Sequence, residues 1–310
     1  MLDNNPKSGY FGPMKVKEGT LDLFYGMEFQ HVPPFRTQLL KWIGNKQRFA
    51  HMIASYFPKD IRTYREPFLG SGAVLAALQP PNAVGSDIFG PLMEIWRCLH
   101  ESPEKLTDWY RTRYVEFMTV GKTEGYERIR ARYNANPNGP DLLFICRSCY
   151  GGVVRFRKSD GYISTPCGVH DPINPKSFAQ RAQIWRRRTA GANFRQMDFE
   201  EAMSLAHEKD LVYCDPPYVC SQTILYQGQG FSLERLMQAI ADCKKRGVRV
   251  ALSIDGKKKS GRVDCELGIP DGLFEREVFL DCGRSMLRRF QREGESLEDE
   301  IVHDRLLLTY

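Results

Sequence analysis

Residues 211–222 read LVYCDPPYVCSQ. Leu211, Val212, Tyr213 and Cys214 make an apolar run of strand length, and the run stops at Asp215-Pro216-Pro217-Tyr218. Neither proline can donate to a β-ladder and each has a fixed φ, so pairing must end there. A plain turn would use Gly or Asn. A carboxylate, a stiff proline pair and an aromatic ring instead hold fixed groups at the carboxyl end of a strand, where open α/β sheets bind ligands. Asp215 offers an acceptor. The Pro216 carbonyl is a second acceptor, its direction set by the two rings. Tyr218 offers a flat face. Two acceptors beside a stacking surface suit a planar group carrying NH₂, such as the exocyclic amine of a nucleobase. Hydrogen bonds from both amine hydrogens favour a pyramidal nitrogen, whose freed lone pair can attack an electrophilic methyl group.

Working outward, strands and helices alternate on both sides of this stretch. Upstream, KQRFAHMIASYF (46–57) has helical spacing and is limited by Pro58. A strand over Ile61–Glu66 follows, then a Gly-containing turn, the helical AVLAALQ, a Pro80-Pro81 break, and a short strand from Ala83 that ends at Asp87. Leu92, Ile95, Trp96 and Leu99 mark another helix. Downstream, a helix begins at Ser232 and stops near Gly247, strand VRVALSI (248–254) follows, and strand-like LFEREVF (273–279) and RLLLTY (305–310) close the chain. This alternation predicts an α/β domain with a parallel sheet. It lapses across 101–190, where VVRFRKSDGYIST (153–165) reads as a β-hairpin turning near Asp160-Gly161. Residues 1–35 show no period and read as an extension.

The composition of the 310 residues is that of a globular protein. No apolar run is long enough for a membrane span. The polar N-terminus lacks the apolar segment of a secretory signal, so a cytoplasmic protein is expected. Nine cysteines at irregular spacing fit reduced thiols. A net charge of +6, with clusters at 186–188, 244–246, 257–259 and 284–292, points weakly to a polyanion. Such clusters are equally expected on solvated faces.

REPFLGSGAV (65–74) places Gly70-x-Gly72 between a strand and a helix. Glycines there let backbone approach a ligand, and a helix N-terminus offers unpaired N–H groups. Asp87 ends the next strand, 17 residues beyond Gly70, where an acid can accept from ribose hydroxyls. Capping of the following helix is the competing reading of Asp87. Together the two features argue for an adenosine-containing cofactor.

In this context DPPY resembles the catalytic motif of S-adenosylmethionine-dependent amino-methyltransferases, and further stretches resemble the DNA adenine methylase family. LLKWIGNK (39–46) is similar to its N-terminal cofactor motif, with Asn45 where a glycine is common. EPFLGSGAV (66–74) is similar to its Gly-rich motif, NFRQMDFEEA (193–202) to its adenine-contacting segment, GGVVRFRKSDGYISTPCG (151–168) to its target-recognition segment, and DRLLLTY to its last strand. The motif order is that of the alpha group, and the resemblance covers roughly 36–310. It implies cofactor contacts from Trp42, Lys46, Pro67, Phe68, Gly70, Gly72, Asp87, Asp198, Phe199 and Asp215. It assigns catalysis to Asp215, Pro216, Pro217 and Tyr218, and DNA contacts to Arg155, Arg157 and Lys158. The implied fold is a Rossmann-like α/β methyltransferase with a mixed, mostly parallel seven-stranded sheet and helices on both faces. The catalytic domain would comprise 36–100 and 193–310, with a target-recognition region at 101–192. The implied reaction is methyl transfer to adenine N6 in double-stranded DNA after the base is flipped out. A cognate restriction endonuclease is a candidate partner.

Other readings coexist with this one. RNA adenine or a protein side-chain amide could meet a Pro-Pro-Tyr loop. A dinucleotide oxidoreductase would use the glycines and Asp87 but leave DPPY idle. A non-enzymatic DNA-binding protein would show salt-sensitive binding alone. Cys146-x-x-Cys149 with Cys167-x-x-His170 has the spacing of a four-ligand zinc site. Two of these thiols flank the hairpin, ordinary buried cysteines explain them, and no metal is expected.

Overall fold

Val212 and Cys214 face one hydrophobic cluster while Leu211 and Tyr213 face another. This two-sided burial is the signature of a central parallel strand, and it explains why LVYC is apolar without alternation. The computed structural model describes residues 30–157, 159–217, 231–255, 268–284 and 301–310. In chain order it contains α1 (Ala50–Ser55), β1 (Tyr64–Glu66), α2 (Ala73–Leu78), β2 (Ala83–Asp87), α3 (Gly90–Glu101), α4 (Pro103–Val120), α5 (Lys122–Ala135), α6 (Gly139–Ser148), α7 (Pro175–Arg188), β3 (Ala192–Gln196), α8 (Phe199–Ser204), β4 (Leu211–Cys214), α9 (Leu233–Lys245), β5 (Arg249–Asp255), β6 (Arg276–Arg284) and β7 (Ile301–Leu308).

The sheet has seven strands in the order β3-β2-β1-β4-β5-β7-β6. The first five are parallel, and β7 runs antiparallel to both β5 and β6. Helices α1–α3 share the Leu211/Tyr213 cluster, and α8 and α9 share the Val212/Cys214 cluster, so both faces are covered. The expected Rossmann-like α/β architecture is therefore observed. Strand order reverses between β1 and β4, and ligands of open α/β sheets sit at such switch points.

The predicted strand Ile61–Glu66 is shorter, beginning at Tyr64, because the backbone amide of Arg62 donates to Lys209 outside the ladder. The lapse in alternation at 101–190 is mostly helical. Helices α4 to α7 share one continuous core with the sheet through Leu106, Tyr110, Phe144, Phe178 and Trp185. Of the basic clusters at 186–188 and 244–246, Arg188, Lys244 and Arg246 are engaged within the protein. Arg188 lies over the Phe35 ring and donates to the Ala76 carbonyl. Lys244 donates to Gly272 and Leu273, and Arg246 to Met203, Ser204 and Ala206. The clusters at 257–259 and, beyond Arg284, at 285–292 lie outside the described residues. Among the described residues, no helix is long and apolar enough to cross a membrane.

Candidate active site

The cleft at the switch point is built from three chain segments. The first leaves β1 at Glu66 and turns through Pro67-Phe68-Leu69-Gly70-Ser71-Gly72 into α2. Gly70 and Gly72 have φ of +45° and +61°, a region that favours glycine. A Cβ on Gly72 would lie 3.0 Å from the Trp96 ring, and the Trp96 indole donates to the Gly70 carbonyl at 3.1 Å. The glycines therefore let the turn lie directly on a buried tryptophan.

Asp87 ends the neighbouring strand, and its carboxylate accepts from the backbone amides of Gly70 (3.2 Å) and Phe89 (3.0 Å). It does not cap α3, whose N-cap residue is Phe89 without a side-chain bond. The carboxylate instead fastens the end of β2 to the Gly-rich turn. Burial pushes its pKa up to about 6, against bonds from the backbone amides of Phe89, Gly70 and Ile88.

The second segment carries Lys46 to Asp215, with Nζ 2.8 Å from the carboxylate and both side chains largely buried. Gly44 takes φ +71°, and Asn45 Oδ1 accepts from the Gln47 amide at 2.7 Å. The asparagine that departs from the family pattern thus stabilises the turn, while the adjacent glycine supplies the positive φ. The run into this turn is held from the inserted helices. Arg147 of α6 donates to the Leu39 carbonyl at 2.8 Å, and Trp185 of α7 to Thr37 at 2.8 Å.

The third segment is the end of β4. Asp215, Pro216 and Pro217 line the cleft opposite Gly70. Tyr218 lies outside the described residues. Among the residues implied as cofactor contacts, Trp42, Lys46, Phe68, Gly70 and Asp215 border this cleft. Trp42 packs on Phe89 with ring centroids 6.1 Å apart, and Phe89 meets Phe156 of the hairpin edge-on at 5.4 Å. Phe199 stacks on Phe68 at 5.2 Å. Asp198 caps α8, accepting from the Glu200 amide at 2.9 Å through Oδ1, which also lies 3.5 Å from Arg235. Asp198 is therefore the N-cap of α8 in this structure. Pro67 is buried behind the cleft, between Glu66 and Phe68.

Glu66 was not singled out from the sequence. It is 3% exposed, borders the cleft, and accepts through Oε2 from the Tyr64 hydroxyl (2.8 Å) and the Leu75 amide (3.1 Å). Gly72 has no side chain with which to cap α2, so Glu66 supplies an acceptor to that helix from the strand before it. Burial pushes its pKa up to about 8, Asp215 adds to the rise, and the bonds from Tyr64 and Leu75 oppose it. The available signal was an acid in register with Tyr64 at a strand end, immediately before the glycine turn.

The segment 153–165 is a hairpin held by bonds from Arg157 N to Tyr162 O (2.8 Å) and Ser164 N to Arg155 O (3.2 Å), with Gly161 at φ +70°. Phe156 and Ile163 are its inner pair, and Arg155 and Arg157 project together from the exposed face. Arg157 is bound to Asp160 through two bonds (2.8 and 2.6 Å) and lies over Tyr162. Lys158 lies outside the described residues. Cys149 and Cys167 pair across an isolated bridge at the hairpin's base, Cys146 is fully buried in α6, and His170 is exposed. Among the described residues, no three His, Cys, Asp or Glu side chains gather as metal ligands.

Residues 42–267 match the family model of D12 class N6 adenine-specific DNA methyltransferases. The chain is 30% identical to the retron Ec67 DNA adenine methylase of Escherichia coli over 191 residues, covering 58% of this chain and 63% of that one. It is 25% identical to the DNA N-6-adenine-methyltransferase of Escherichia phage P1 over 287 residues, 88% of this chain but 35% of the phage protein. It is 28% identical to the type II methyltransferase M.MjaIII of Methanocaldococcus jannaschii over 249 residues, 72% and 84% of the two chains. The matched stretch holds the Gly-rich turn, Asp87, the hairpin and the Asp215 loop, and it covers well over half of the sequence: the chain belongs to the D12 class of N6 adenine-specific DNA methyltransferases.

Proposed function

We propose that the protein transfers a methyl group from S-adenosylmethionine to N6 of adenine in double-stranded DNA. The observation that carries this reading is the meeting of Asp215 and Lys46 beside the Gly-rich turn. A proline-stiffened carboxylate there has its own counter-charge and faces the place where a methyl donor would lie. The side chains present fit that donor. Asp87 is a buried acceptor suited to ribose hydroxyls, Phe68 and Phe199 form an apolar stack suited to an adenine ring, and Asp215 and Glu66 are acidic groups suited to a cation. When bound, the cofactor supplies a methyl group already activated as a sulfonium.

Asp215 and the Pro216 carbonyl then accept the two hydrogens of the target amine, holding its lone pair toward the donor. The Asp215 carboxylate favours the positive charge that develops on nitrogen, which lowers the barrier more than it strengthens binding. The prolines fix both acceptors before the base arrives, so little reorganisation is needed during attack. Tyr218 supplies the stacking face of the base pocket. An adenine inside a duplex cannot reach this cleft, so the base must be flipped out.

Residues 101–192 serve as the target-recognition region, with Arg155, Arg157 and Lys158 on the DNA side of the hairpin. Residues 36–100 and 193–310 form the catalytic domain, preceded by an extension at 1–35. Phosphate contacts give affinity and base contacts specificity. A DNA substrate places the enzyme in the cytoplasm. The type II methyltransferase among its relatives makes a cognate restriction endonuclease the partner to seek. The test is transfer of labelled methyl groups from S-adenosylmethionine to duplex DNA, RNA and protein in parallel, followed by nucleoside analysis. N6-methyladenine in DNA is expected. Label confined to RNA or to protein would replace the substrate assignment.

A further inference from the structure

Glu66 ends β1, and Asp215 lies just past the end of β4, the parallel neighbour of β1. The register pairs Arg65 with Val212, so strand alternation puts Tyr64, Glu66, Tyr213 and Asp215 on one face. Both acids border the same cleft. Their surroundings differ. Asp215 has the Lys46 ammonium at 2.8 Å. The bonds that Glu66 receives come from two uncharged donors, the Tyr64 hydroxyl and the Leu75 amide. The Cys214 thiol of β4 is a further titratable group near it, and α2 presents to it only backbone and apolar side chains. Among the described residues, one buried cation, Lys46, thus lies beside these two carboxyl groups. With both ionised, two negative charges would neighbour each other in a buried place, which burial disfavours. Accordingly the Glu66 carboxyl holds its proton at neutral pH, with its pKa raised to about 8 by burial and by Asp215.

We infer that Glu66 is a charge-setting residue of the cleft: it gives up its proton when a cationic sulfonium enters, and so distinguishes S-adenosylmethionine from its uncharged thioether product. The inference rests on the cofactor reading given above. A positive charge beside Glu66 favours its ionised form, and by linkage the ionised form favours the cation. The thioether brings no such charge and leaves the proton in place. The preference for the sulfonium over the thioether should therefore grow with pH until Glu66 is ionised without ligand, and then level off. Asp87 lies at the ribose side, which is common to both ligands, so its own titration cancels in their ratio.

The experiment is calorimetric titration of the full chain with S-adenosylmethionine and with S-adenosylhomocysteine, from pH 6 to 8.5, in buffers of different ionisation enthalpy. For the unaltered protein at pH 7, sulfonium binding should release close to one proton more than thioether binding. The affinity ratio should rise up to about tenfold per pH unit below pH 8. Glu66→Gln should remove the extra proton and flatten the ratio. The ligands' own amino groups titrate in both proteins, so the difference between proteins is what is read. Tyr64→Phe keeps Glu66 but deletes a bond that favours its ionised form, and should move the rise to higher pH. Equal proton release with both ligands in the unaltered protein would overturn the inference, as would a full pH dependence surviving in Glu66→Gln. Binding of neither ligand would instead overturn the cofactor reading on which it rests.

Discussion

Four acidic residues are buried among the described residues, and they fall into two contrasting pairs. Asp141 and Asp210 lie away from the cleft, each held by two arginines. Asp141 accepts from Arg113 at 2.9 Å and Arg132 at 2.8 Å, with Asn138 at 3.0 Å. Asp210, at the amino end of β4, accepts from Arg62 and Arg65, each at 2.9 Å. Burial alone would raise both pKa values, but these bonds outweigh it and hold both below the usual carboxylate range. Glu66 and Asp87 lie at the carboxyl end of the same sheet, where neutral donors meet them and burial pushes them up to about 8 and about 6. The two scaffold carboxylates are thus neutralised by arginines, whereas Glu66 and Asp87 are met by uncharged donors. Perturbation of the second kind is what a binding site for a cation and for hydroxyl donors requires.

The contrast can be broken most severely at the scaffold pair. Asp141→Ala leaves Arg113 and Arg132 without their shared partner at the junction of α4, α5 and α6. Arg132 is partly exposed and keeps Glu116, so the cost should fall below the roughly 3–5 kcal/mol of a fully buried pair. Urea unfolding should show that loss, while cofactor affinity of the folded fraction stays unchanged. Asp87→Ala should act on the cofactor as well as on the fold. Lost charge-assisted hydrogen bonds, worth about 1.5–3 kcal/mol, should weaken cofactor binding roughly 10- to 100-fold, and the amides of Gly70 and Phe89 left without their acceptor should lower unfolding stability too. Unchanged affinity would reduce Asp87 to a fastener of the Gly-rich turn.

The hairpin offers a smaller contrast of the same kind. Arg157 is already paired with Asp160 on the exposed surface, so its charge is partly compensated before DNA arrives. Arg155→Ala and Arg157→Ala should each weaken DNA binding. Each should lower the salt dependence by at most about one unit, and neither should affect cofactor binding. If neither substitution changes DNA binding or sequence preference, the hairpin is not the recognition element.

A further effect concerns stability and pH. Without cofactor, native Glu66 keeps a proton that the unfolded chain releases above its ordinary pKa of 4.5. Its contribution to stability therefore falls as pH rises from about 4.5 to about 8. Asp141 and Asp210 act oppositely: their depressed pKa values give stability that is present above the unfolded value and lost as pH falls through the folded one. Glu66→Gln should flatten the first slope in thermal unfolding and leave the acid limb in place.

Much of this was legible before any coordinates. LVYC read as a strand because it is a short apolar run, and Asp215-Pro216-Pro217 ended it as expected. Ser232 caps α9 as its position implied. Helices α4, α5 and α7 were missed because their apolar faces are narrow and interrupted by Arg, Glu and Lys. The starts of α4, α6 and α7 were nonetheless marked. Ser102-Pro103, Asn138-Gly139-Pro140 and Asn174-Pro175 each join a capping side chain to a proline in the first turn. Glu66 was missed for another reason. Its character comes from Asp215, far away in sequence, and from a helix amide that only the folded turn brings to it.

The most direct test is single-turnover methylation of duplex DNA at saturating cofactor and DNA, comparing the unaltered enzyme with Asp215→Ala. Loss of a preorganised polar partner at the reacting nitrogen should slow methyl transfer by about 10²-fold or more. DNA affinity should largely survive, because phosphate contacts elsewhere dominate it. A near-normal rate in Asp215→Ala would mean that the carboxylate and its prolines merely end a strand, and the proposed chemistry would not hold.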